Sequence, residues 1–510
     1  MPILRAQDID EDQDLFCDVV VVGSGAGGAV AAHELAAAGH DVVLLERGGY
    51  HITSEFKSDP QWSFDHLYAQ RGITAALGIP PVLIPYGECV GGTTVINSGT
   101  VFRLPQKKAE QWRTELGIQD LGDENLDRYF AYIEDKIGAR ESVWPALGEY
   151  NRVIETGVQE LGLSGAPLVR NAPHCAGCGV CVFGCPTGAK KSMLVTFIPA
   201  ADALGVRIFA ETRVDRIHVE NGKATGVSGV IVEKETGKVR GRIRVRAKVT
   251  MLAGGAFGTP VLLQDNRVAT DSGQVGRNLW IHPAAGAGGL MTRDINAWRA
   301  IPQGYKVDEW YEELGILLEG GFGPPEVVSL MVPGFGAALQ NRMAYYKRMV
   351  TFGLIVEDRD SVGSVRSLRG RPPLIRYRLG QDDKRRLVFG WKKVMEILFA
   401  AGATEVYPAI QGYDVMTSPE HIARVDENTV PSDALNLTAY HPMGTCRMGE
   451  DPRTSVVNSY LETHDVSGLF ITDASVFPSA LGVNPQATIM AFAARTAAYV
   501  HANKDRYFGA

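Results

Sequence analysis

Residues Asp18 to Glu46, DVVVVGSGAGGAVAAHELAAAGHDVVLLE, restrict the possible folds more than any other stretch of the chain. The four consecutive valines Val19 to Val22 predict a strand buried on both faces, as in a parallel sheet. Gly23, Gly25 and Gly28 then satisfy G-x-G-x-x-G. The first glycine permits the tight turn, the second lets backbone approach a pyrophosphate, and the third lets helix and strand pack closely. An alanine-rich helix follows, Gly39 stands where a C-terminal cap belongs, and Val42 to Leu45 form the second strand. Glu46 ends that strand 18 residues after Gly28, where a carboxylate can accept a hydrogen bond from a ribose hydroxyl. Strand, loop, helix, strand and acid together predict a dinucleotide site. They leave NAD and FAD equally open.

The length of 510 residues and an apolar content of 45% suit two or more lobes around sizeable cores. A net charge of -7 without a dense basic run argues against a nucleic-acid surface. The opening MPILRAQDIDEDQDLF has neither a basic-then-apolar secretory design nor a twin arginine, and residues 1–16 read as a solvated acidic lead-in. No apolar stretch approaches the roughly 20 residues that span a bilayer, so the expectation is a cytoplasmic protein without a membrane span. Export with a partner subunit stays open.

Beyond the first βαβ unit, GECVGGTTVINSGTVFR (Gly87 to Arg103) suggests backbone closing over a ligand, although an ordinary polar loop fits those residues equally well. Residues 106–165 read as polar-faced covering helices. Strand patterns return near 206, with turns at Asn221-Gly222 and Thr236-Gly237, and end in the apolar strand and glycine turn of VTMLAGGAFGTP. The expected architecture is α/β. A Rossmann-like dinucleotide-binding domain with a parallel sheet is assembled from 1–105, 200–290 and 431–510. An α+β substrate domain with an antiparallel sheet takes 106–165 and 291–430, and a cysteine-rich segment takes 166–199.

Four of the seven cysteines, Cys175, Cys178, Cys181 and Cys185, fall within eleven residues. The run C-x2-C-x2-C-x3-C-P has the spacing of a bacterial ferredoxin loop. A cuboidal iron–sulfur cluster needs three or four converging thiolates, and Gly177, Gly179 and Gly184 let the backbone curl around one. Zinc is the rival, though structural zinc usually takes two separate C-x2-C pairs. With no second run, either Cys185 completes a [4Fe–4S] cluster or one thiol stays free beside a [3Fe–4S] cluster. Lys190 and Lys191 follow directly; they could offset cluster charge, but two surface lysines are the preferred reading.

The C-terminal segment contains LTAYHPMGTCRMG and GLFITDASVFPSALGVNPQATIMAFAARTA. Together with the glycine fingerprint, the Gly91-Gly92-Thr93-Thr94 loop, AGGAFGTP and GRNLWIHP, these motifs resemble the glucose–methanol–choline (GMC) oxidoreductase family of flavoproteins, in the family's order and over nearly the whole chain. The form GVNPQATI resembles the cholesterol-oxidase and long-chain alcohol oxidase branches. The cysteine run resembles long-chain alcohol oxidases and cluster-bearing FAD sugar dehydrogenases.

That resemblance implies a role for each matching position. Gly23, Gly25, Gly28 and Glu46 would hold the adenosine half of FAD. Gly91, Gly92, Thr93 and Asn97 would line the pyrophosphate and flavin, with Thr-Thr replacing the family's Ser-Ser. Val214 would meet the adenine through its backbone, and Asp473 would lie near the ribityl chain. His441 and Asn484 match the two catalytic positions. An imidazole can take the hydroxyl proton near neutral pH, and an amide can donate to a developing alkoxide. Cys446 and Arg447 read as structural.

The function these readings imply is an FAD-dependent alcohol dehydrogenase. Its electrons would leave through the cluster to a cytochrome- or ferredoxin-type acceptor, or to a small accessory subunit. An oxygen-reducing alcohol or sugar oxidase, or a flavin-bearing lyase, with structural cysteines, is the alternative. The charge-poor stretch Gly315 to Leu339 suggests an apolar alcohol, although it suits plain core equally.

Overall fold

The computed structural model describes residues 3–509. The run of valines lies at the centre of the first sheet because it is flanked on both sides. Gln13–Val22 pairs in parallel with Val42–Leu45 on one edge and with the fourteen-residue strand Val239–Leu252 on the other. Arg207–Phe209 extends the parallel part beyond Val42–Leu45. The long strand serves two pairings. Its first half closes an antiparallel ribbon with Lys223–Val232 and Thr212–Glu220, turning at Asn221-Gly222, and its last residues pair in parallel with Leu469–Ile471.

The helix Ala26–Ala37 covers this sheet, and its small residues permit close packing. A Cβ on Gly27 would fall 1.5 Å from the Thr472 carbonyl oxygen. The helix Gln486–Ala502, rich in alanine, packs against it. Trp112 is fully buried beside Phe477 and Phe492, so the 106–165 helices contribute to the core as well as covering it.

The second sheet has nine strands, mostly antiparallel. Its centre is Met349–Val356, buried at every position, between Ala284–Leu290 and Ile316–Glu319. The helix Gln381–Ala400 supports it with Trp391, Val394 and Leu398. Both expected sheets are therefore present. Two short strands inside 1–105, Ala75–Ala76 and Val82–Leu83, join this second sheet through Leu437–Thr438. That stretch thus contributes to both halves of the molecule.

The N-terminal lead-in differs from its sequence reading. Leu4 donates its N–H to Ile208 at 2.9 Å, and Ala6 and Ile9 are buried under the sheet edge. Acidic residues set the composition of 1–16, but its few apolar side chains decide where it packs. Among the described residues no helix is long and apolar enough to cross a membrane.

Candidate functional site

The two glycine loops form a cradle. Gly23 has φ +105°, where only glycine is unstrained, and a Cβ there would lie 2.3 Å from the Ala253 carbonyl oxygen. A Cβ on Gly28 would lie 1.9 Å from the Gly23 carbonyl oxygen. Gly25 is different, since a Cβ there would meet nothing within 4 Å. Opposite it, a Cβ on Gly92 would come within 2.8 Å of Gly25 Cα. Gly25 is also the N-cap of Ala26–Ala37 and supplies no side-chain cap, which leaves the first helical amides free for an anion. The two loops touch at Gly25 and Gly92, and the open space on the Cβ side of Gly25, at an uncapped helix N-terminus, fits a pyrophosphate.

Ser24 joins the two loops. Its Oγ donates to Glu46 Oε2 at 2.6 Å and accepts from Gly91 N–H at 2.9 Å. Glu46 also accepts from Ser24 N–H and, on Oε1, from Gly48 N–H, both at 2.8 Å. Burial raises the Glu46 carboxyl pKa while these donors oppose the rise. The residue expected to bind ribose is thus also the peg on which both loops hang, with lone pairs left on Oε1. Val214 lies in the strand Thr212–Glu220, two residues beyond Thr212, whose N–H donates to the Glu46 carbonyl at 2.7 Å.

Thr93 Oγ1 accepts from Gly87 N–H at 3.0 Å, and Asn97 donates from Nδ2 to Gln486 Oε1 at 2.9 Å, just after Asn484 in sequence. Asp473 is buried and accepts from Gly255 N–H at 2.9 Å, Thr259 Oγ1 at 2.5 Å and Ser475 N–H at 2.8 Å. Hydrogen bonds thus tie Ser24, Glu46 and Gly91 to one another, Thr212 to Glu46, and Asp473 to Gly255, three residues past the strand that pairs with Gln13–Val22.

His441 and Asn484 meet although 43 residues separate them: His441 Nε2 lies 3.1 Å from Asn484 Nδ2. Burial pulls the His441 imidazole down to about 4, so it is uncharged at neutral pH. Two residues nearby went unassigned in the sequence. His282, in GRNLWIHP, places Nδ1 3.2 Å from His441 Nδ1. Glu319 ends the buried strand Ile316–Glu319, and the Asn484 and Gln303 amides act on its carboxylate. Burial pushes its pKa up to about 7, and Oε2 has no hydrogen-bond partner. Lys306, its cross-strand neighbour, is paired with Asp308 instead. A lone acid closing the apolar run GILLE was the available sequence signal.

The four cysteines also converge. Gly177, Gly179 and Gly184 all have positive φ, and the loop curls so that the four thiols line one small cavity with Arg170 and Lys190. Arg170 is buried and donates to Cys181 Sγ at 3.3 Å, Cys175 Sγ at 3.8 Å and the Ser98 carbonyl. Backbone N–H groups of Gly177 and Lys190 donate to Cys175 and Cys185 at 3.5 and 3.4 Å. Lys190 is not a surface lysine: it is 3% exposed, and its ammonium donates to the carbonyls of Val95 (2.8 Å), Asn97 (2.5 Å) and Cys181 (2.7 Å). The apolar stem of lysine lets the chain bury it wherever carbonyls can receive the head. Cys178 is exposed.

Residues 64–284 match the N-terminal and residues 360–493 the C-terminal GMC oxidoreductase domain, and 21–69 match an NAD(P)-binding Rossmann-like domain. An uncharacterized GMC-type oxidoreductase of Mycobacterium tuberculosis is 38% identical over 93% of this chain and 74% of its own. The long-chain-alcohol oxidase FAO3 of Arabidopsis thaliana is 30% identical over 95% of this chain and 68% of its own. The fold is shared with pyridoxine 4-oxidase from Mesorbium loti at a TM-score of 0.72 and 18% identity, covering 95% of this chain and 99% of that one. The chain belongs to the GMC oxidoreductase family, FAD-dependent enzymes that act on CH–OH donors.

Proposed function

We propose that this chain is an alcohol dehydrogenase that passes its electrons through an iron–sulfur cluster held by Cys175, Cys178, Cys181 and Cys185 to a one-electron acceptor protein. When bound between the glycine loops, FAD supplies the two-electron acceptor for the hydride leaving the alcohol carbon. His441 and Asn484 would hold the hydroxyl oxygen, whose proton passes to a base of the site. The long-chain-alcohol oxidase relative supports an alcohol substrate. Glu319 beside Asn484 adds a polar group to the apolar surroundings that the sequence suggested.

The observation that carries the electron exit is the Lys190 ammonium. It joins Asn97, in the loop expected at the flavin, to Cys181, in the thiol loop. Two further points support a cluster over zinc. Arg170 and Lys190 are buried cations whose anionic neighbours are thiols, and burying unpaired charge costs several kcal/mol each. All four thiols come from a single C-x2-C-x2-C-x3-C run and line one cavity, in place of the two separate C-x2-C pairs usual for structural zinc. Exposed Cys178 gives a cluster a face to an acceptor.

Anaerobically purified protein should contain iron and acid-labile sulfide alongside flavin, and an alcohol that bleaches the flavin should generate the EPR signal of a reduced cluster. Iron-free protein that makes peroxide from alcohol in air would establish the oxidase reading instead.

A further inference from the structure

Behind the catalytic imidazole, the hydrogen bonds fix where the protons lie. His282 is fully buried, and its Nε2 accepts from the backbone N–H of Gly482 at 2.9 Å. A backbone amide only donates, so that nitrogen carries no proton. Burial and the neighbouring His441 and Lys108 keep His282 uncharged, which leaves its proton on Nδ1. Nδ1 faces His441 Nδ1 at 3.2 Å, and one proton fits between the two nitrogens. His282 supplies it, so His441 accepts there and holds its own proton on Nε2. The Asn484 amide, 3.1 Å away, must then turn Oδ1 toward His441; amide orientation follows the network, and the turn gives a buried oxygen the donor it otherwise lacks.

We infer that His282 is a positioning residue that holds His441 as an Nε2–H donor toward the substrate oxygen, leaving the Glu319 carboxylate to accept the hydroxyl proton. The assignment to Glu319 rests on the alcohol oxidation proposed above. In that step the O–H bond breaks with its proton passing to Glu319, the C–H bond breaks with its electron pair leaving as hydride to the flavin, and His441 keeps its proton. The other charged groups around His282 are already engaged. Lys108 pairs with Glu357, and Asp358 accepts from the His282 backbone N–H at 2.8 Å and from Tyr377 at 2.7 Å.

The test uses FAD-loaded protein with 15N-labelled histidine, in which His441 is identified by the signal lost in His441→Gln. A bare Nδ1 and a protonated Nε2 on His441 are expected; a bare Nε2 would overturn the claim. This readout needs no substrate, so it stands or falls separately from the alcohol reading. His282→Asn should preserve the tautomer, because its amide can both accept and donate and asparagine tolerates the φ of +51° found here. His282→Leu should lose the single tautomer and lower kcat about tenfold or more with little change in KM, while retaining flavin. Glu319→Gln should slow flavin reduction about a hundredfold or more; reduction at the wild-type rate would remove Glu319 from the role.

Discussion

Lys190 Nζ lies 2.7 Å from the carbonyl oxygen of Cys181, and the same ammonium binds the carbonyls of Val95 and Asn97. One side chain therefore fixes the thiol loop to the loop expected at the flavin. Lys190→Met keeps the stem and removes the head, leaving three carbonyls without their donor at about 1–3 kcal/mol for each group left unsatisfied. Protein purified from this variant should show lower ratios of both flavin and iron to polypeptide than wild type. Full retention of both would show that the two loops are held independently.

The active-site pair is tested through flavin reduction. His441→Ala removes the imidazole that lies 3.1 Å from the Asn484 amide, without touching either glycine loop. Rapid-reaction measurements should give a reduction rate lower by about 10²–10³-fold with flavin content unchanged, the range for losing one donor to a developing oxyanion. A wild-type rate would place the chemistry elsewhere.

Glu319 makes stability depend on pH in a direction opposite to a salt-bridged acid. Its folded pKa of about 7 lies above the ordinary 4.5, so the folded protein holds the proton more tightly than the unfolded chain. Stability should fall as pH rises from about 4.5 through 7, and the cost of ionising the buried carboxyl is fully present above that, on the order of 3 kcal/mol. Glu319→Gln cannot ionise. Denaturant titrations of both proteins at pH 5 and pH 8 should show the variant gaining relative to wild type at the higher pH. Asp358, also raised to about 7 by burial, is common to both and drops out of the difference.

What the sequence revealed and what it hid divide along physical lines. Backbone demands were readable: the valine strand, the glycines and the turn at Asn221-Gly222 express local geometry, and local geometry leaves a mark on residue type. His441 and Asn484 came from motif resemblance, not from spacing. Lys190 was misread because a lysine after a cysteine run looks solvated until the Val95, Asn97 and Cys181 carbonyls, distant in sequence, are placed around it. His282 was passed over because its partner Gly482 lies 200 residues away. Side-chain partners set by tertiary contact leave no local trace.

The glycine cradle separates folding from cofactor binding at single positions. Gly25 has φ −69°, which any L-residue adopts, and a Cβ there meets nothing within 4 Å in the chain itself. Gly28 is the reverse, since a Cβ would sit 1.9 Å from the Gly23 carbonyl oxygen and 2.9 Å from Ala253 Cβ. Gly25→Val should therefore fold, with circular dichroism and a cooperative melt like those of flavin-stripped wild type, yet fail to retain FAD because its side chain fills the open space beside the helix N-terminus. Gly28→Ala should lower folded yield itself, because the helix cannot close on the strand. If Gly25→Val purifies with a full complement of flavin, the open space beside Gly25 is not where the pyrophosphate lies.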